Sequence, residues 1–178
     1  MKLEKIKRDE FDHIYSELEK NFIPDERRDY TPSKALLERP EYDVYHIIED
    51  DKNVGFITIW HLEAFAFVEH FVIYEKERCL GYGSQALSLI IKEFPKIVLE
   101  AEPPVNELCK RRLAFYERNG FYQNDYPYIQ PSYRENGNEV SLILMSYPNT
   151  LEDCEDTVSQ IYRCVYQKNT QIRKETTL

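Results

Sequence analysis

The chain has 178 residues, a length typical of one domain with a hydrophobic core of its own. Its formal net charge of −9 argues against general binding to nucleic acid or anionic membranes, although it leaves room for a local basic pocket. No apolar run approaches the roughly 20 residues of a membrane span, and the start MKLEKIKRDE lacks the apolar core of a signal peptide. The four cysteines form no CxxC pair, so we expect reduced thiols, a cytoplasmic location and no metal site.

The first quarter of the chain predicts a strand followed by two helices. The alternating segment KLEKIK favours a short strand. The segment after it places its apolar residues on one helical stripe, and Pro24 ends that helix. A second, shorter helix is indicated by SKALLERPEY and stops at Pro40.

The middle of the chain predicts three strands that form an antiparallel meander. The segments YDVYHIIED, VGFITIWHLE and AFAFVEHFVIYE are rich in aromatic and β-branched residues and are joined by short polar links. A helix in GSQALSLIIKEF and a strand in KIVLEAE follow, and together with the third of these strands they make a crossover unit. A helix through ELCKRRLAFYERNG ends at Gly120, and the last strand is SLILMSY, with FYQNDYPYIQ as a candidate for one before it.

The predicted order of elements is β-α-α-β-β-β-α-β-α-β-β-α. This order indicates a mixed α/β or α+β fold with one clear crossover unit. We divide the chain into a domain of residues 1–147 and a tail of residues 148–178. The tail contains an amphipathic helix at residues 151–166, for which a seam between two copies of the chain is one hypothesis.

The glycine turn GYGSQA, residues 81–86, follows the third strand of the meander and opens a predicted helix. It matches the G-x-G-x-x-A fingerprint of dinucleotide-binding domains, and Glu100 or Glu102 stands about twenty residues further on, where that fingerprint places an acid. Three features disfavour this interpretation: EKERCL separates the glycines from the strand, the meander supplies no repeated strand–helix units, and the chain is short for a dehydrogenase. An NAD-binding oxidoreductase is therefore a minor alternative.

A second interpretation includes more residues. The glycines belong to R-x-x-G-x-G, which begins at Arg78, and the stretch VEHFVIYEKERCLGYGSQAL resembles motif A of the GNAT N-acetyltransferase superfamily. The stretch RRLAFYERNGFYQN resembles motif B of that family, with Tyr116 as its tyrosine. The resemblance covers roughly residues 1–147, includes the order of elements, and in LEAEPP and YIQPSY extends to a bacterial subgroup without a well-defined substrate.

The resemblance implies a mixed, mostly antiparallel sheet in which strands four and five are parallel and splay apart, with helices on both faces. It implies acetyl-CoA as the cofactor, with the pyrophosphate held by loop amides at a helix N-terminus and the thioester bonded by the backbone of strand four. Many members carry Gly where Cys79 stands here, which binding through backbone should tolerate. The expected cofactor-binding residues are Phe71, Val72, Ile73, Arg78, Cys79, Leu80, Gly81, Tyr82, Gly83, Ser84 and Arg112.

Two residues are candidates for proton transfer in the reaction that the resemblance implies. Tyr116 matches the motif B tyrosine, which in many members protonates the departing sulfur. Glu69, nine residues before Arg78, lies where members often place an acid that acts as a base. Its neighbours Phe67 and Phe71 would raise the pKa of its carboxyl. The alternatives are a core role for the tyrosine and an outward position or a structural ion pair for the glutamate.

The acceptor site has further candidates. Glu102 ends strand five and could orient a cationic amine or cap the next helix. His70 is another candidate, expected on the face opposite Glu69 if the strand is regular. Packing in the core or at the surface is the alternative role for each aromatic candidate: Tyr30, Trp60, Tyr128 and Tyr133.

The sequence therefore predicts a GNAT-type N-acetyltransferase that moves an acetyl group from acetyl-CoA to a primary amine of a small molecule or peptide by direct attack. The acidic composition favours a cationic acceptor, and no nucleic-acid or membrane partner is expected. A homodimer is a further hypothesis. The alternative from a different functional class is a non-catalytic acyl-CoA-binding or regulatory module.

Overall fold

The computed structural model describes residues 1–168, so residues 169–178 of the predicted tail lie outside it. Its strands are β1 (Lys2–Lys5), β2 (Tyr42–Glu49), β3 (Lys52–His61), β4 (Ala66–Ile73), β5 (Ile97–Ala101), β6 (Tyr122–Gln123), β7 (Tyr128–Gln130) and β8 (Val140–Tyr147). Its α-helices are α1 (Phe11–Asn21), α2 (Tyr30–Ala35), α3 (Tyr82–Glu93), α4 (Glu107–Arg118) and α5 (Cys154–Ile161), and α5 continues into a π-helical turn (Tyr162–Tyr166). None of these helices has the length and apolar character needed to cross a membrane.

The strands form one sheet in the order β1-β2-β3-β4-β5-β8-β6, and β7 also pairs with β8. β4 and β5 are parallel, and the other neighbours are antiparallel. This confirms the predicted mixed, mostly antiparallel sheet. FYQNDYPYIQ, a candidate for one strand, contains two short ones, β6 and β7.

Helices cover both faces of the sheet. On one face, α1 and α5 bury Ile14, Leu18 and Ile161 in a shared core. On the other face, α3 and α4 bury Leu87 and Leu113. Because both faces are covered, the central strands are apolar almost throughout instead of alternating between apolar and polar residues.

The strand β4 contains a bulge at Glu69. Thr58 of β3 pairs with His70 and the next residue, Ile59, pairs with Val68, so Glu69 is the extra residue. A bulge bends the strand and interrupts the alternation of its side chains. Glu69 and His70 consequently lie on the same side of the sheet, with Oε2 and Nδ1 3.8 Å apart. The prediction that His70 faces away from Glu69 is wrong because the strand is not regular there.

The gap between β4 and β5 begins beside this bulge. The last parallel pair is Val68 with Leu99, and a cleft lies between the strands beyond it. The bulge bends β4 at the residue where the pairing stops, which gives a physical reason for the split. The family resemblance placed a split between these two strands, and the structure has one.

The tail helix α5 packs into the same core as α1. Val158, Ile161 and Val165 are at most 3% exposed, so the apolar face of the helix is buried within its own chain. This leaves no free apolar stripe on α5 for the dimer seam that the sequence suggested. The π-helical turn that follows α5 lies close to the cleft.

Candidate functional site

A cleft of about 560 Å³ occupies the gap between β4 and β5. The structure brings ten of the eleven predicted cofactor-binding residues to its wall: Phe71, Val72, Ile73, Arg78, Cys79, Gly81, Tyr82, Gly83, Ser84 and Arg112. The eleventh, Leu80, belongs to the same loop but is 57% exposed and does not line the cleft.

The loop before α3 has the conformation of an anion-binding backbone. Cys79 and Gly81 adopt left-handed φ values of 65° and 83°. The first intrahelical bond of α3 runs from the amide of Gln85 to the carbonyl of Gly81 at 3.2 Å, so the preceding amides stand at the open end of the helix. Such amides, together with the helix dipole, favour a bound phosphate. The loop therefore fits the pyrophosphate of coenzyme A.

Arginines give this end of the cleft a positive charge although the chain as a whole is acidic. Arg78, Arg111 and Arg118 line the cleft together with Arg112. The guanidinium of Arg78 donates to Asn21 Oδ1 at 2.7 Å and to the carbonyl of Ile73 at 3.0 Å, which ties the loop to α1 and β4. Arg112 forms an ion pair with Glu102.

A smaller pocket of about 50 Å³ adjoins the cleft, and both are lined by Glu69, Glu100 and Arg112. Glu26 and Glu102 also line the smaller pocket, which brings four carboxylates together. Glu69 and Glu102 are paired with arginines. Within residues 1–168, Glu26 and Glu100 have no salt-bridge partner, and burial raises the pKa of Glu26.

Glu69 is held in a buried ion pair. Its side chain is 1% exposed and is paired with Arg28. Trp60 Nε1 donates to it at 3.0 Å and the hydroxyl of Tyr133 at 2.8 Å. Burial acts to raise the pKa of Glu69, but Arg28 and the other donors outweigh that effect and hold the pKa below its usual value. The predicted rise in the pKa of Glu69 is therefore wrong, because a partner distant in sequence replaces the expected apolar surroundings.

Glu100 lies on β5 directly after Leu99, the last residue paired with β4. Its carboxyl oxygens lie 2.9 and 2.8 Å from the hydroxyl of Tyr166, and the hydroxyl of Tyr128 also donates to it. Burial raises the pKa of Glu100 to about 7, although the two tyrosine hydroxyls act to lower it. In the sequence, Glu100 stands out only as a candidate acid of the dinucleotide fingerprint. The available signal was its spacing of two from Glu102, since residues at i and i+2 of a strand share one face.

Tyr116 lies on α4 at the wall of the cleft. It is 7% exposed, and its ring packs against Phe115 and Phe121 at centroid distances of 5.3 and 5.8 Å. Burial raises the pKa of Tyr116 to about 12, and the charge of Arg112 acts in the opposite direction. The phenol is therefore protonated at neutral pH and available as a proton donor.

The predicted acceptor residues separate into two groups. His70 and Glu102 line the smaller pocket, and burial lowers the pKa of His70. Trp60 is fully buried and lines neither space, while Tyr30 on α2 bonds Asp12 on the surface. The prediction that Trp60 and Tyr30 line the acceptor site is wrong. The other two aromatic candidates lie at or next to the smaller pocket. Tyr133 lines this pocket, and Tyr128 donates a hydrogen bond to Glu100, which also lines it.

Comparison with known proteins agrees with the fold. Residues 8–121 match the sequence model of the Acetyltransferase (GNAT) family. A Bacteroides thetaiotaomicron protein assigned to the GNAT family of acetyltransferases has 31% identity and a TM-score of 0.88, over 95% of this chain and 100% of that one. No functionally curated protein matches the sequence.

Two more distant solved structures share the fold. An aminoglycoside 6'-N-acetyltransferase complexed with coenzyme A has 17% identity and a TM-score of 0.61, over 86% of this chain and 100% of that one. A variant of the spermidine N-acetyltransferase from Vibrio cholerae has 12% identity and a TM-score of 0.62, over 94% of this chain and 100% of that one. At these identities the similarity shows the fold alone.

Proposed function

Because the chain belongs to the GNAT family of acetyltransferases, for which acetyl-CoA is the cofactor, we propose that it acetylates a primary amine of a small cationic molecule or a peptide by direct attack. The observation that carries this proposal is the charge pattern along the gap between β4 and β5. Arg78, Arg111 and Arg118 line the cleft together with the helix amides, and four carboxyl groups stand around the adjoining pocket, where Arg112 pairs with Glu102. An anionic cofactor and a cationic acceptor would enter such a gap from opposite ends.

The residues at the arginine end bind and orient the cofactor. The amides at Gly81 to Ser84 receive the pyrophosphate, with Arg78 and Arg111 as cationic partners. The backbone of Phe71 to Ile73 holds the acyl arm along β4. When bound, acetyl-CoA supplies an acetyl group activated as a thioester.

Tyr116 donates the proton that the departing sulfur requires. Its phenol is at the wall of the cleft, and with a pKa that burial raises to about 12 it is protonated at the pH of the reaction, as an unperturbed tyrosine also would be. A positioned acid of this kind typically contributes ~10²-fold or more to a rate.

The smaller pocket selects the acceptor by charge. Glu26 and Glu100, which lack a basic partner within residues 1–168, attract an ammonium group, and Glu102 stands beside them. Two structures of the same fold come from enzymes named for cationic amines, spermidine and aminoglycosides, so the proposed acceptor is of a class that this fold is known to accommodate.

Thiol release from acetyl-CoA, measured against a panel of amines, tests this function. We expect turnover with compounds that carry two or more ammonium groups, and much lower turnover with neutral amines or acidic amino acids of similar size. Tight binding of coenzyme A without turnover of any amine would instead favour a non-catalytic acyl-CoA-binding module.

The homodimer stays a prediction. Analytical ultracentrifugation of the same preparation can check whether the protein is a monomer or a dimer.

A further inference from the structure

The C-terminal segment reaches the candidate site through its π-helical turn. Val165 and Tyr166 are buried, 1% and 6% exposed, at the end of that turn. The Tyr166 hydroxyl contacts both carboxyl oxygens of Glu100, and the carbonyl of Val165 accepts from Arg28 at 2.6 Å. The turn thus contacts β5 directly at Glu100, and it is linked to β4 through Arg28, which pairs with Glu69.

We propose that Glu100 accepts the proton of the acceptor amine, and that Tyr166 is a positioning residue that holds the Glu100 carboxylate for this task. The inference rests on the acetyl transfer proposed above. It names a base different from Glu69, the candidate from sequence, and it gives the C-terminal helix a part in the reaction.

The position of Glu100 distinguishes it from Glu69. Both residues directly follow the last parallel pair of β4 and β5, so both stand where the strands separate. The carboxylate of Glu69 is already occupied by Arg28 and by two neutral donors. Glu100 lines both the cleft and the smaller pocket, and its hydrogen bonds come from uncharged tyrosines. An amine that reaches the thioester from the smaller pocket therefore passes Glu100.

The proton balance of the reaction requires two transfers. The Glu100 carboxylate takes one proton from the ammonium group and later releases it to solvent. The free amine then forms the C–N bond as the C–S bond breaks. Tyr116 gives its proton to the departing sulfur, and the second proton lost from nitrogen restores the phenol. The products are an amide, the free thiol of coenzyme A and one proton.

The surroundings of Glu100 make this step dependent on pH. Burial raises the pKa of Glu100 to about 7, and the hydroxyls of Tyr128 and Tyr166 act in the opposite direction. Other elements present further groups: Glu69 and His70 from β4, Glu26 and Arg28 from the α1–α2 connection, Tyr133 from the β7–β8 connection, Tyr162 from the turn, Glu102 from the end of β5, and Arg112 and Tyr116 from α4. Of the charged groups, Glu69 raises the pKa of Glu100 and Arg28 lowers it.

The test is a pH profile of kcat/KM between about pH 5 and 9 with the best amine of the panel. We expect the wild-type profile to rise through about pH 7, the pKa of Glu100. Glu100→Gln should lose roughly 10²-fold or more of kcat/KM together with this rise, and it should still bind coenzyme A. Tyr166→Phe removes one donor to the carboxylate, which should move the rise to higher pH by about 0.5 to 1 unit.

Tyr162→Phe is the matched control, because Tyr162 belongs to the same turn but its hydroxyl donates to the carbonyl of Ile129. It should leave the rise where it is in the wild type. If Tyr166→Phe does not fold, Tyr128→Phe removes the other hydroxyl from the same carboxyl and should shift the rise in the same direction.

Each contrary result has a separate meaning. If Glu100→Gln keeps its activity and the rise near pH 7, Glu100 is not the base, although the acetyl transfer stands. If Tyr166→Phe behaves as Tyr162→Phe does, the role of Tyr166 is structural only. If the wild-type protein binds coenzyme A but acetylates no amine, the proposed function and this inference fall together.

Discussion

Glu69 and Glu100 show how two carboxylates at corresponding places on neighbouring strands acquire different chemistry. Arg28 lies against Glu69 and favours its charged form, so the pKa of Glu69 is low despite burial. The tyrosine hydroxyls at Glu100 carry no charge, so burial dominates and its pKa rises to about 7. Environments that push two pKa values apart are how acid and base roles are commonly assigned at one site.

The raised pKa of Glu100 predicts a pH-dependent gain of stability in Glu100→Gln. The folded pKa of about 7 exceeds the reference value of 4.5, so the folded state keeps a proton that the unfolded state has lost between these pH values. The free energy of unfolding of the wild type therefore falls as pH rises through this window. Glutamine carries no charge, so the variant should be more stable than the wild type by about 1 to 3 kcal/mol at pH 8.

Urea denaturation at pH 8 and pH 5 measures this effect. The advantage of Glu100→Gln should shrink towards pH 5, where the wild-type carboxyl is largely protonated in the folded state. Glu102→Gln is the control, because that carboxylate is partly exposed and paired with Arg112. An advantage of the same size at both pH values would contradict the raised pKa.

At the scale of elements, periodic patterns predicted the strands and helices well but could not predict how β4 deviates. The aromatic and β-branched residues of β2, β3 and β4 indicated an antiparallel meander, which the register confirms. The bulge at Glu69 has no local signature, since it depends on how Thr58 pairs across the sheet. The partners Arg28 and Tyr166 lie 41 and 66 residues from the carboxylates that they contact, and no local pattern encodes such contacts.

The packing of α3 against α4 predicts a loss of cofactor affinity in Gly83→Ala. A Cβ at Gly83 would lie 3.1 Å from Cζ of Phe115, so this ring would have to move into the cleft or α3 would have to shift. Alanine has the higher helix propensity, by about 1 kcal/mol, and this gain offsets the cost of moving the ring or the helix. The free energy of unfolding should therefore change little. We expect the Kd for coenzyme A, measured by calorimetry, to rise about tenfold.

Ser88→Ala is the control for this prediction. Ser88 lies further along α3, is exposed and does not line the cleft. Its replacement changes helix propensity and removes the bond that its hydroxyl donates to the carbonyl of Ser84, but it adds no atom near Phe115. A tenfold weaker Kd in both variants would show that the helix, and not the contact with Phe115, is responsible.

At the scale of the whole molecule, local charge opposes net charge. The chain carries −9, which alone would repel an anionic cofactor, yet four arginines line one cleft. Charges further apart than about 8 to 10 Å are screened at physiological ionic strength, so the arginines nearest the phosphates dominate binding. Composition could not predict this arrangement, because the arginines come from two separate segments of the chain that only the fold brings together.

Replacing one arginine at a time separates local from net charge. Arg111→Ala and Arg8→Ala both change the net charge by one, but Arg111 lines the cleft whereas Arg8 pairs with Glu38 on the surface. Loss of a charge-assisted contact costs about 1.5 kcal/mol, so Arg111→Ala should raise the Kd for coenzyme A about tenfold and flatten its dependence on salt. Arg8→Ala should leave both unchanged. Equal effects of the two variants, measured by titration at about 50 and 500 mM salt, would mean that the overall charge of the molecule governs cofactor binding.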